Sequence, residues 1–277
     1  MTSSAIARMN SIQAVSPLWG ESIAALIAER SRVLFPPHVR DWLSSEALRR
    51  ALSIPALLPD NLMELEEGQW YQLLDISNED RLSVAWAPNR QVVTLLLEAS
   101  DAAGRQGVLR DRKEEILRDL TNSLAQIDHP EIEELASFAA RAAACEADGH
   151  TEAAVSLAVN VLDSALEKHQ SEIHRQLNVR PKGSGRHSLT DVITKGHPGA
   201  TGRERFFTSG SLLLLLATYG LHGVFESYKW PSPPDSKFNR NMLAHRVGVD
   251  TYKPHYSLHA LLLTNALLRW LDIQVPR

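Results

Sequence analysis

Arg240 and His245, with Asn239 and Asn241 beside the arginine, are the residues of this 277-residue chain whose types and spacing suggest joint chemistry. In Phe238-Asn239-Arg240-Asn241-Met242-Leu243-Ala244-His245 four residues separate a permanently charged guanidinium from an imidazole that exchanges protons near neutral pH. Such a pair could hold and cleave a phosphodiester. Spacing alone is no argument, because 22 arginines and 11 histidines produce about 2.6 pairs five to seven apart by chance, and three occur. Context separates them. Arg32 to His38 crosses Pro36-Pro37, and Arg180 to His187 runs through proline and glycine. Arg240 and His245 lie in a glycine-free stretch beside an apolar run. On a regular helix they would differ in direction by about 140°, so convergence requires an irregular segment, a curled arginine or a second subunit.

Other chemistries have weaker support. His255 and His259 have the i, i+4 spacing of metal ligands, but Pro254 precedes them and no third ligand is near, so no metal is expected. Gly183-Ser184-Gly185 lacks the strand and helix of a phosphate loop, and no serine lies in a nucleophile elbow. Asn160, Asp163 and Glu167 share a helix face that could orient the arginine, although a solvated stripe is the commoner use. Cys145 follows an alanine-rich run and is expected to be a small buried residue.

The elements that position these residues read as helical throughout. Ile116, Leu117, Leu120, Leu124 and Ile127 recur at helical spacing until His129-Pro130 breaks the pattern. Pro130 should open the next helix, which carries Ile132, Leu135, Ala136 and Ala139 and stops at Asp148-Gly149. Thr151 is then the expected cap of a helix through Val155, Ala158, Leu162 and Leu166, antiparallel to the one before. A buried helix is expected over 206–229, ended by Trp230-Pro231, and a last helix over Ser257 to Leu271 with Leu258, Leu261, Leu262, Ala266 and Leu268 inward. In the first 110 residues, helical candidates fall at Ser22 to Ala28, Val39 to Leu43 and Val92 to Leu97.

Composition narrows the class. With 44% hydrophobic and 22% charged residues and one cysteine, the chain reads as a globular protein of a reducing, cytoplasmic setting. No signal peptide is expected at Met1 to Arg8. The uncharged stretch Phe206 to Phe225 is interrupted by Ser, Thr, Gly and His, so a buried helix is favoured over a membrane span. Residues 171–277 hold 14 Lys and Arg against 7 Asp and Glu, whereas the remainder holds 15 against 26. That asymmetry suggests an anionic partner or contact between the two parts. Six of the basic residues, Arg180, Lys182 and Arg186 among them, lie in 178–205 with five glycines, expected as a mobile basic loop.

The motif Asn239-Arg240-Asn241-Met242-Leu243-Ala244-His245, the helix start at Ser257-Leu258-His259-Ala260 and the helix pair around Asp148-Gly149-His150 together resemble the HEPN superfamily of helical domains, many of which are ribonucleases. The resemblance covers roughly residues 130–272. The chain reads as all-α, with a helical N-terminal region over 1–110 that the resemblance leaves unexplained, and the resemblance implies that 111–277 forms a HEPN-like four-helix bundle that pairs as a homodimer at the motif. It also implies metal-independent RNA cleavage without a cofactor, in defence or as a regulated toxin with an inhibitor or regulatory partner. His245 would exchange the proton of a ribose 2′-hydroxyl, Arg240 would hold the phosphate, and Asn241 would orient one of them. Asn239, Arg246, Arg180, Lys182 and Arg186 would contact RNA. The pattern departs from many relatives in having Arg246 where glycine follows the histidine, and Val247 where a nucleotidyltransferase-paired subgroup has tyrosine. A non-catalytic protein that binds RNA or nucleotide, or acts as a regulatory scaffold, is the alternative.

Overall fold

Tyr256 to Leu268 are buried without interruption, which requires that this helix be surrounded by others rather than lie on a surface. The computed structural model describes residues 59–63, 65–176, 220–226, 228, 237–246, 248 and 251–275. Helix accounts for 73% of them and no strand occurs among them, so the fold is all-α. The candidates at 22–28 and 39–43, the basic segment 178–205 and most of 206–229 lie outside the described residues.

After a 3₁₀ turn at Asp60–Leu62 come α1 (Glu67–Asp80), α2 (Arg90–Glu98), α3 (Ala102–Asp111), α4 (Lys113–Leu124), α5 (Pro130–Ala147), α6 (Thr151–Lys168) and α7 (Gln170–Gln176). Then follow the short α8 (Leu221–Val224) and α9 (Arg240–His245), and the central α10 (Tyr256–Gln274). Helix α10 packs on α4, α5 and α6, and α5 packs on α4 and α6. Alanines make close approach possible: Ala154, Ala158 and Ala165 of α6 are fully buried, and Thr264 of α10 donates its hydroxyl to the Ala158 carbonyl at 3.1 Å.

Local chemistry explains most boundaries. Asn89 caps α2 by accepting from the Val92 N–H, and Asp101 caps α3 by accepting from Gly104. Pro130 occupies the first turn of α5, where its missing N–H costs nothing, and Gly149 supplies the left-handed φ of +85° beyond its end. Helix α6 differs by one position from expectation. Its cap is His150, without a side-chain hydrogen bond, and Thr151 is the first helical residue. Cys145 is half-buried rather than buried, while Ala142 and Ala143 take the inward positions. Within 206–229, helix is described only at Leu221–Val224, and Tyr228 is not helical. A boundary at 110 would fall inside the last turn of α3, and one core runs from Leu62 through Leu109, Ile116 and Leu162 to Leu271.

The end of α1 reaches the motif through one side chain. Arg81, left-handed at φ 59° and buried, donates from Nη1 to the Phe238 carbonyl at 2.8 Å and from Nη2 to Glu226 at 3.1 Å. Gly220 makes room for this approach, because a Cβ there would sit 2.6 Å from the Ser77 carbonyl oxygen and 3.0 Å from Arg81 Cα. Backbone atoms yield less readily than side-chain ends. Gly220→Ala is therefore expected to destabilise the fold by about 1–3 kcal/mol in urea unfolding, and an unchanged midpoint would contradict this packing.

Candidate functional site

Helix α9 starts where Asn239 turns its side-chain oxygen onto the Met242 N–H at 3.0 Å. The same side chain donates from Nδ2 to the Glu226 carbonyl at 3.1 Å and is only 2% exposed. Asn239 is thus occupied as a buried cap. Asn241 adds a second tie, with Nδ2 3.0 Å from the carbonyls of both Phe225 and Glu226. These bonds and Arg81 lash the motif to the 225–226 segment.

Met242 and Leu243 are buried, which fixes the rotation of α9. At 100° per residue, Arg240 and His245 then flank the outward direction on either side, about 140° apart, with Ala244 and Asn241 between them. Ala244 and His245 are exposed, and Arg240 and Asn241 are half-buried. The outcome is an outward face with the Ala244 methyl and the Asn241 amide between the arginine at one edge and the histidine at the other.

Arg240 does not extend freely over this face. Its Nε donates to Asp163 Oδ2 at 3.0 Å, its Nη2 donates to the same oxygen, and its Nη1 donates to Asn241 Oδ1 at 3.0 Å. Asp163 comes from α6 and its side chain is 10% exposed, against 23% for Arg240. Of the face-sharing trio, Asn160 and Glu167 are exposed, so only Asp163 points inward to the motif. A guanidinium carries five N–H donors; three are used, and two remain for an oxyanion. Arg246 is half-buried, its Nη1 3.5 Å from the Tyr228 hydroxyl. Arg180, Lys182 and Arg186 lie outside the described residues.

A second polar group lies beneath Phe238, where His255 and His259 stand with ring centroids 5.4 Å apart and the Phe238 ring is 6.3 Å from His259. They line a cavity of about 270 Å³ with Asp80, Arg105 and Lys237. Among the described residues, no group of three or more His, Cys, Asp or Glu is placed to hold a metal ion. Burial first, then the positive charge of Lys253, pushes His255 down to about 4; burial first, then His255, does the same to His259, with Asp80 opposing both. Burial also lowers His169 and His174. An unfolded chain takes up these protons near pH 6.5, whereas the folded chain resists until about 4 at the cavity pair. The unfolded state therefore holds more protons in that window, and stability, complete above it, falls as pH drops from about 6.5 to about 4. Thermal unfolding followed by circular dichroism should show this fall, reduced in His259→Leu; an equal fall in that variant would remove His259 as a cause.

The chain matches no protein-family model, and no curated protein or solved structure shows significant similarity to it.

Proposed function

We propose that the chain is a HEPN-type, metal-independent endoribonuclease of the cytoplasm that acts as a homodimer through its motif face. The observation that carries this reading is the outward face of α9, where Arg240, held by Asp163 and Asn241 with two donors to spare, and the exposed His245 flank Ala244. A phosphodiester lying over Ala244 meets a fixed cation on one side and a proton exchanger on the other. His245 removes the proton of the ribose 2′-hydroxyl as that oxygen attacks phosphorus. Arg240 carries the charge that grows on the non-bridging oxygens. The bond to the 5′-oxygen breaks, that oxygen takes a proton from the second motif copy, and a 2′,3′-cyclic phosphate remains. Action in defence or as a toxin restrained by an inhibitor belongs to the same reading.

One observation favours a second reading. The Asp163 carboxylate offsets the charge of Arg240, as expected of a bundle whose arginine holds helices together and which binds RNA or a regulatory partner without cleaving it. Incubating the full chain with total and structured RNA in EDTA, with end-group analysis of the products, separates the two. Cyclic-phosphate ends support the nuclease. Intact RNA that is nonetheless retained by the protein, with salt-sensitive affinity, supports the binder.

A further inference from the structure

We propose that the cavity beneath Phe238, between the end of α1, the first turns of α3 and the start of α10, binds a small organic carboxylate through Arg105, with Lys237 and His255 beside it. The cavity encloses about 270 Å³, just below the usual range of small-molecule sites, which suits a single ring or a short chain. Leu82, Leu109 and Phe238, all buried, give it an apolar wall. Arg105 provides the recognition. Asp80 accepts from its Nε and from Nη2, so the side-on edge of the guanidinium is occupied. The end-on edge is left. Nη1 makes no hydrogen bond, and Glu79, 4.0 Å from Nη2, is too far for one. Nη1 is also not sealed from solvent, in contrast to the two ring nitrogens of His259. The N–H groups along that edge match the two oxygens of a carboxylate.

Charge selects a monoanion. Arg105 and Lys237 line the cavity against the single carboxylate of Asp80, which leaves one positive charge in excess. The larger cleft beside Trp86, about 640 Å³ and walled by Asp60, Asp119, Arg90 and Arg269, has no such excess. Asp101 and Glu79 lie near Arg105, but both are exposed to solvent and neither lines the cavity. Burial keeps the half-buried His255 uncharged at neutral pH, and its ring nitrogens are neither bonded nor sealed, so it still has an N–H to give. Ala102 and Ala103 line the same cavity at the start of α3, where the first N–H groups lack intrahelical acceptors and favour negative charge. A phosphodiester is also singly charged, but its polar riboses would meet three buried apolar side chains. A carboxyl group on an apolar body suits both halves of the lining. The cavity contains neither Arg240 nor His245, so this site stands whether or not the chain cleaves RNA.

Saturation-transfer NMR on the full chain tests this with benzoate, phenylacetate, butanoate and hexanoate at up to about 10 mM, each against its neutral amide, and with dimethyl phosphate. At least one carboxylate is expected to bind, and its amide to bind roughly tenfold more weakly or worse. Lys237→Met alters an exposed side chain, so the fold is kept, and it should weaken the carboxylate by roughly two- to fivefold. Binding should be lost in the double variant Asp80→Ala with Arg105→Met, which removes the guanidinium together with its buried partner so that neither charge is stranded. Absence of binding by every carboxylate overturns the proposal, as does equal affinity for acid and amide, or unchanged affinity in the double variant. Binding of dimethyl phosphate in place of the carboxylates overturns the ligand class.

Discussion

His245→Ala is expected to slow RNA cleavage by about 10²–10⁴-fold, the loss that removal of a positioned proton exchanger causes. The expectation follows from placement: His245 is exposed in the last turn of α9. Arg240→Ala should cost about 10²–10³-fold, because its donors stabilise charge that develops during the reaction. Arg240→Lys should recover little, since an ammonium cannot bond Asp163 and Asn241 at once and still face the phosphate. Asp163→Asn gives the sharper test. As a positioning residue, Asp163 should affect kcat while leaving KM unchanged or lower, because the guanidinium loses its orientation but gains uncovered charge. A merely structural Asp163 would reduce both the folded fraction and activity in proportion. Rates on a fixed oligonucleotide, with unfolding measured on the same preparations, decide the matter; full activity in His245→Ala would sink the assignment.

That face was partly legible in the residues themselves. The octapeptide and the stripe of Asn160, Asp163 and Glu167 both stood out, but their meeting did not, because 77 residues separate Arg240 from Asp163. A helix face carrying three polar residues reads the same whether one of them turns inward or all meet water. Helix ends set by strong local chemistry were readable: Pro130 opens α5 and Gly149 follows it, since fixed φ in one and freedom at positive φ in the other act within a single turn. Where two neighbouring residues could both cap, as with His150 and Thr151, the boundary moved by one. The apolar width of α10 suggested helix packing or an oligomer seam, and the burial of Tyr256 to Leu268 within the chain shows the packing. Its neighbours could not be named, because burial on every side is the same signal whichever helices supply it.

The cleft beside Trp86 was illegible for a different reason. Asn61, Trp86, Ser123 and Arg269 come from four separate elements, and no local period links them. The same holds for the buried ion pair of Asp80 and Arg105, which joins the end of α1 to the first turn of α3 and appears in sequence as two unremarkable charges. Local propensity builds the helices, but sites of this kind exist only once the helices have packed.

The ion pair carries the largest expected effect on stability. Asp80 and Arg105 side chains are each 9% exposed, Arg105 donates from Nε to Oδ2, and its Nη2 lies 3.2 Å from Oδ1. The hydrogen bond that Arg105 donates to Asp80 is the main reason the guanidinium holds its proton more tightly than usual. Asp80→Ala strands a buried cation beside His255 and His259, neither of which can carry the negative charge that would compensate it. Breaking one side of such a pair costs about 3–5 kcal/mol, a large share of the stability of a domain. Glu79 cannot substitute: it stands 4.0 Å from Arg105 and its side chain is 63% exposed, so Glu79→Ala should cost about 0–1 kcal/mol. The double variant Asp80→Ala with Arg105→Met removes both charges and keeps most of the packing volume, and it should regain most of the loss. Urea unfolding of the wild type, Asp80→Ala, Arg105→Met and the double variant measures the coupling directly. A single-variant cost under about 1 kcal/mol, or a double variant no better than the single, would mean that water screens the pair.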